Sequence, residues 1–178
     1  MATNIPAGSE TLLNRGTGGQ VVRELRSSLK SIYFSFGEFM ASFFKATRRV
    51  EFCETDMAGI VHFSNFYKWM EQCEHEFFRS LGLSIVEHQA DGSTVGWPRV
   101  SSQCRFESPA HYEDVLEMLL TVQRIGVKSL SFDIAFTNNG RSVARGTMKT
   151  VCCILRPGQP LESLEIPDAY RSKMEEYQ

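Results

Sequence analysis

The stretch Glu54-Thr55-Asp56-Met57-Ala58-Gly59-Ile60-Val61-His62-Phe63-Ser64-Asn65-Phe66-Tyr67-Lys68-Trp69-Met70-Glu71 decides how the rest of the chain is read. Upstream, Phe44, Ala46, Val50 and Phe52 alternate around the polar Thr47-Arg48-Arg49, which predicts a strand over 42–53 that Glu54-Thr55-Asp56 and Gly59 break. Downstream, Phe66, Met70, Cys73, Phe77 and Leu81 recur at steps of three or four. That spacing predicts one long amphipathic helix over 64–81, opened by Ser64 or Asn65 as N-cap and ended at Gly82. The segment therefore joins a carboxylate at a strand end to a glycine turn and the first turn of a helix. Such a helix start carries unbonded N–H groups and the positive end of the helix dipole, so it can hold an anion or a developing oxyanion. Asp56 beside it offers a nucleophile or a base, and together these are the minimum parts of acyl-transfer hydrolysis. On spacing alone, a turn aspartate capping a backbone N–H is the commoner role.

Working outward, 87–97 is polar and glycine-containing and is expected to be a loop, and the remainder reads as β over 100–107, 114–124, 128–137 and 142–155. Phe132, Ile134 and Phe136 alternate with Ser131, Asp133 and Ala135, and Asn138-Asn139-Gly140 is a tight-turn signal between two strands. One long helix followed by long antiparallel strands predicts an α+β layer in which the sheet wraps the helix. No internal repeat is present.

The chain has 178 residues, 42% of them hydrophobic and 22% charged, with a formal net charge of −2. This composition suits one domain with some extra chain and excludes a largely disordered protein. The acidic balance argues against a nucleic-acid partner. The longest apolar runs fall far short of the roughly 18 residues of a membrane-spanning helix, so no integral membrane segment is expected. The five cysteines, Cys53, Cys73, Cys104, Cys152 and Cys153, are odd in number and lack CxxC spacing, so they read as buried thiols in a reducing, cytoplasmic compartment, with no zinc site. Residues 1–41 are expected to be an N-terminal extension. Its first twenty residues read as a mobile arm, and Val22, Leu25, Leu29, Ile32 and Tyr33 have helical spacing beside Arg23, Arg26 and Lys30. That amphipathic helix would cover an apolar patch of the domain, a partner or a membrane surface. Neither a secretory signal nor, given Glu10 and Glu24, a transit peptide is read there.

The motif Asp56-x-x-Gly59-x-Val61 running into the helix resembles that of the 4-hydroxybenzoyl-CoA thioesterase family of the hotdog fold. Further matches fall in the family's order: Pro98 and Val100, Phe106 with Pro109-Ala110, Asp114, Val127 to Phe132, Ala144-Arg145-Gly146, and Arg156-Pro157. The likeness covers roughly 43–170, a hotdog domain within 42–178. It implies hydrolysis of an acyl-CoA thioester to free acid and CoA, with Asp56 as nucleophile or general base. Gly59 would be the turn glycine that lets the backbone approach the thioester, and the Phe63 N–H would meet its carbonyl. No metal and no cofactor are implied. Homodimers or homotetramers with sites at the subunit interface are the family's habit, and an unpaired sheet edge favours self-association on physical grounds. The sequence departs from the benzoyl branch at His62, Phe63 and Ser64, which weakens the case for an aromatic acyl group.

Other candidates carry two readings each. His62 is a second acid or base, or an ordinary turn histidine. Tyr67 and Glu71, one helical turn apart, line a substrate pocket or belong to a polar stripe that runs on through Glu74 and His75; without HExxH spacing this is no metal site. Lys128 is the first candidate for the CoA phosphates, ahead of Arg99 and Arg156, or is a solvated surface charge. Phe63, Phe66, Trp69, Phe77 and Phe78 are mostly core. Two rival functions stay open: a hotdog hydroxyacyl-thioester dehydratase using His62 with Glu71, and an acyl-CoA-binding regulatory module without catalysis.

Overall fold

The computed structural model describes residues 42–178; the extension over 1–41 and the helix expected within it lie outside the described residues. The elements are β1 (Phe44–Arg49), a 3₁₀ turn (Phe52–Glu54), α1 (Ser64–Ser80), β2 (Val86–His88), β3 (Thr94–Gly96), β4 (Arg99–Phe106), β5 (Val115–Ile125), β6 (Ser129–Asn138), β7 (Arg141–Val151), β8 (Cys153–Leu155), β9 (Glu162–Ser163) and α2 (Asp168–Met174). The antiparallel strands form a five-stranded sheet in the order β1-β5-β6-β7-β4.

Alternation decides which face of that sheet is covered. Leu116, Met118, Leu120 and Val122 of β5 and Leu130, Phe132, Ile134 and Phe136 of β6 are buried, and the residues between them are more exposed. Full burial of each such side chain contributes about 1.5–3 kcal/mol. The sheet encloses α1, whose 17 residues contain no Gly, Pro or β-branched side chain and bury Phe66, Trp69, Met70, Cys73, Phe77 and Phe78. Phe77 and Phe78 both meet Phe132 edge-on, at ring-centroid distances of 6.1 and 6.4 Å. This is the α+β hotdog arrangement.

The expected turns hold. Gly82 stands at φ +63° where α1 stops, and the Leu83 N–H returns to the Phe78 carbonyl at 2.9 Å. Asn139 and Gly140, at φ +50° and +80°, make the two-residue turn between β6 and β7.

Four readings need correction. The loop expected over 87–97 contains β2 and β3, which join β8 and β9 in a second sheet ordered β2-β3-β8-β9. The single strand expected over 142–155 breaks at Cys152, whose N–H bonds the Lys128 carbonyl and whose carbonyl accepts from Leu164, so the chain passes from one sheet to the other there. The first strand ends at Arg49, because 52–54 closes into the 3₁₀ turn. Of the cysteines, Cys53 is exposed and Cys104 half-buried, while the other three are buried; all five are free.

Candidate active site

The segment between the 3₁₀ turn and α1 is a small closed hairpin. Thr55 and Val61 pair across it, the Asp56 N–H bonds the Ile60 carbonyl at 2.9 Å, and the Gly59 N–H bonds the Asp56 carbonyl at 3.0 Å. Gly59 takes φ +74°, which a side chain would disfavour, so glycine is what permits this turn. The Asp56 carboxylate accepts from the Ala58 N–H at 2.8 Å through Oδ1, which leaves Oδ2 with no partner among the described residues. The turn-capping role and an exposed reactive oxygen thus coexist in one side chain. The hairpin is fixed to the segment before β5 by the Val61 N–H on the Ala110 carbonyl at 2.8 Å and by the Ile60–His111 bridge.

Glu54 ties this hairpin to the helix, a role with no mark in the sequence. Its carboxylate accepts from Arg48 Nη2 at 2.8 Å, the Trp69 indole N–H at 3.1 Å and the Glu51 N–H at 2.8 Å. Burial alone would raise the Glu54 carboxyl, but the Glu51 N–H, the Arg48 guanidinium and the Trp69 N–H together outweigh it and hold the group below the usual range. Its carbonyl accepts from the His62 N–H at 2.9 Å and from Asn65 Nδ2 at 2.7 Å.

A cavity of about 570 Å³ opens where the hairpin, the start of α1 and the end of β4 meet, lined by Asp56, Val61, Phe63, Phe66, Phe106 and Ala110 among others. Phe63, Phe66 and Phe106 are its aromatic walls, with Phe66 at 5.3 Å from Phe106 and, behind it, from Phe136. At the helix start the Ser64 N–H makes only a long, 3.4 Å contact with His62 Nδ1, and the Phe63 N–H has no acceptor among the described residues. Asp56, with one free carboxylate oxygen, and Phe63, with an unbonded N–H among the described residues, therefore line one cavity, and a group that attacks a carbonyl and a donor for its developing charge are the parts such a site can supply.

Asp56, Gly59 and Phe63 are thus brought together, and the other candidates are placed elsewhere. His62 turns its ring to the Ser64 hydroxyl at 2.8 Å and stacks on Phe63 at 4.6 Å, outside the cavity lining. Tyr67 is half-buried against the core. Glu71 opens instead to a second cavity of about 380 Å³ with His75, Trp97 and Arg99, and lies 3.8 Å from Arg99 and 3.9 Å from His75. Within one chain His62 and Glu71 are thus not neighbours; the dehydratase reading pairs them across a subunit interface. Lys128, just before β6, donates to the Ser163 carbonyl at 2.9 Å, about 26 Å along the strand from Phe136. Among the described residues no group of three or more His, Cys, Asp or Glu side chains is arranged to hold a metal, and no helix is long and apolar enough to cross a membrane.

A family model described as the thioesterase-like superfamily matches residues 50–174. A 4-hydroxybenzoyl-CoA thioesterase of Pseudomonas sp. (strain CBS-3) is 27% identical over 143 residues, covering 74% of this chain and 96% of the relative. A 1,4-dihydroxy-2-naphthoyl-CoA hydrolase of Synechococcus sp. (strain WH7803) is 28% identical over 117 residues, covering 62% and 76% respectively. Among solved structures, a 1,4-dihydroxy-2-naphthoyl-CoA thioesterase from Synechocystis shares the fold with a TM-score of 0.67 at 23% identity, over 75% of this chain and 96% of that one.

Proposed function

The chain belongs to the thioesterase-like superfamily and is a thioester hydrolase, and from this premise we propose that it cleaves an acyl-CoA to free acid and CoA at the Asp56 cavity. The observation that carries the proposal is the meeting of the Asp56 carboxylate and the unbonded Phe63 N–H at one apolar cavity. As general base, Asp56 takes a proton from water while the oxygen attacks the thioester carbon. As nucleophile, its carboxylate attacks the same carbon and water then hydrolyses the mixed anhydride. In either case the carbonyl oxygen becomes an oxyanion facing the Phe63 N–H. Its collapse expels the CoA thiolate, which takes up a proton.

The named relatives act on hydroxylated aromatic acyl groups, and Phe63, Phe66 and Phe106 give this cavity walls suited to an apolar or aromatic acyl group. Glu71 and Lys128 lie away from this cavity within one chain, so roles for them in acyl selectivity and phosphate binding go with sites shared between copies in a homodimer or homotetramer. Mass-spectrometric detection of free CoA released from short, long, branched and aromatic acyl-CoAs tests the reading. Catalytic release from at least one class is expected, and none from any, with the esters still bound, would make the protein a binding module.

A further inference from the structure

We infer that Asn65 is a positioning residue, whose buried side-chain amide holds the Asp56 hairpin against the start of α1 and so sets the separation of the Asp56 carboxylate from the Phe63 N–H. The inference rests on the hydrolase reading above.

Asn65 is one of the few buried polar side chains among the described residues, 7% exposed. Both ends of its amide are matched: Nδ2 donates to the Glu54 carbonyl at 2.7 Å, and Oδ1 accepts from Lys68 Nζ at 3.3 Å. A buried amide is costly unless bonded, so this one fixes the local geometry. The bond closes a loop of the chain from 54 to 65 that contains Asp56, Gly59 and Phe63. Two other bonds tie Glu54 to the helix side, the His62 N–H on the same carbonyl at 2.9 Å and the Trp69 indole N–H on the carboxylate at 3.1 Å, and of the three only the Asn65 amide both comes from the first turn of α1 and meets the backbone of the loop. Asn65 itself does not line the cavity. Its effect on the reaction is therefore indirect, through where the hairpin stands. The hairpin retains its own bonds and its link to Ala110 without Asn65, so loss of the amide shifts it rather than unfolds it.

Two substitutions separate the elements of this idea. Asn65→Asp keeps the size of the side chain and its partner Lys68 but sets an acceptor against the Glu54 carbonyl; Asn65→Ala removes the tether altogether. For both, kcat is expected to fall about 10- to 100-fold, with KM and the binding of CoA changed by no more than about twofold. Backbone amide exchange should quicken over 56–62 and stay as in the wild type across β5 to β7. In an Asp56→Asn background, Asn65→Ala should cost little more, because the group it positions is already gone. Wild-type kcat in both Asn65 variants, or an equal fractional loss with and without Asp56, would overturn the inference while leaving hydrolysis in place. A wild-type protein that releases no CoA would overturn the hydrolase reading and this inference together.

Discussion

The role proposed for Phe63 lies in its backbone, so its N–H and its side chain can be tested apart. Its φ of −52° is one that proline adopts, and its N–H bonds nothing among the described residues, so Phe63→Pro removes the donor without breaking a helix bond. The variant is expected to fold and to lose about 10²–10³ in kcat, the cost of one oxyanion donor. Phe63→Ala, which keeps the N–H, should alter chiefly KM, and steady-state kinetics of the two decide the matter. Asp56 beside a glycine turn and a helix start was legible in the sequence because these follow one another along the chain, whereas the parts proposed for Gly59 and Phe63 came from the resemblance to the 4-hydroxybenzoyl-CoA thioesterase family. Glu54 and Asn65 were not legible, because their meaning lies in bonds among residues from 48 to 69 that exist only after folding. Lys128, Tyr67 and Glu71 have suitable chemistry, yet the fold sends them to other places.

At the scale of elements, α1 packs tightly on the sheet where Met70 meets Gly146 of β7. A Cβ added at Gly146 would stand 2.6 Å from the Met70 Sδ and Cε atoms, so this glycine is what lets the helix settle. Met70 is fully buried but flexible and takes up part of the strain. Gly146→Ala is expected to destabilise the fold by about 1–3 kcal/mol, read from the urea midpoint. An unchanged midpoint would mean that the Met70 side chain makes all of the room by changing rotamer. The long elements were readable because each carries a full period of apolar residues: steps of three and four for α1, alternation for β5 and β6. β2, β3 and β9 are two or three residues long and show no such period, and their pairing depends on the bend at Cys152. α2 has only Tyr170 and Met174 facing inward, too few to announce a helix.

For the whole molecule, two carboxylates make stability depend on pH in opposite senses. Glu74 is fully buried beside Arg99, and burial pushes its carboxyl up to about 7, the Arg99 guanidinium offsetting only part of the shift. A group held above its unfolded value of 4.5 binds more protons when folded, so its contribution is complete below that value and is lost as pH rises through about 7. Glu54, held below its unfolded value, contributes above that value and loses its contribution as pH falls through the folded one. On these two groups alone, stability falls as pH rises from about 4.5 through about 7, and falls again as pH drops through the folded value of Glu54. Glu74→Gln cannot ionise, so its urea midpoint should fall less than that of the wild type between about pH 5 and 8. Parallel curves for the two proteins would place the titration elsewhere.

On the proposed reading, Asp56 acts on a thioester held at the start of α1. Turnover of the best acyl-CoA by wild type and by Asp56→Asn, with binding of the intact ester measured alongside, tests this most directly. A loss of about 10²–10⁴ in kcat with the ester still bound is the predicted result. Turnover by Asp56→Asn within about threefold of wild type would contradict it, since a positioned acid–base group contributes far more than that.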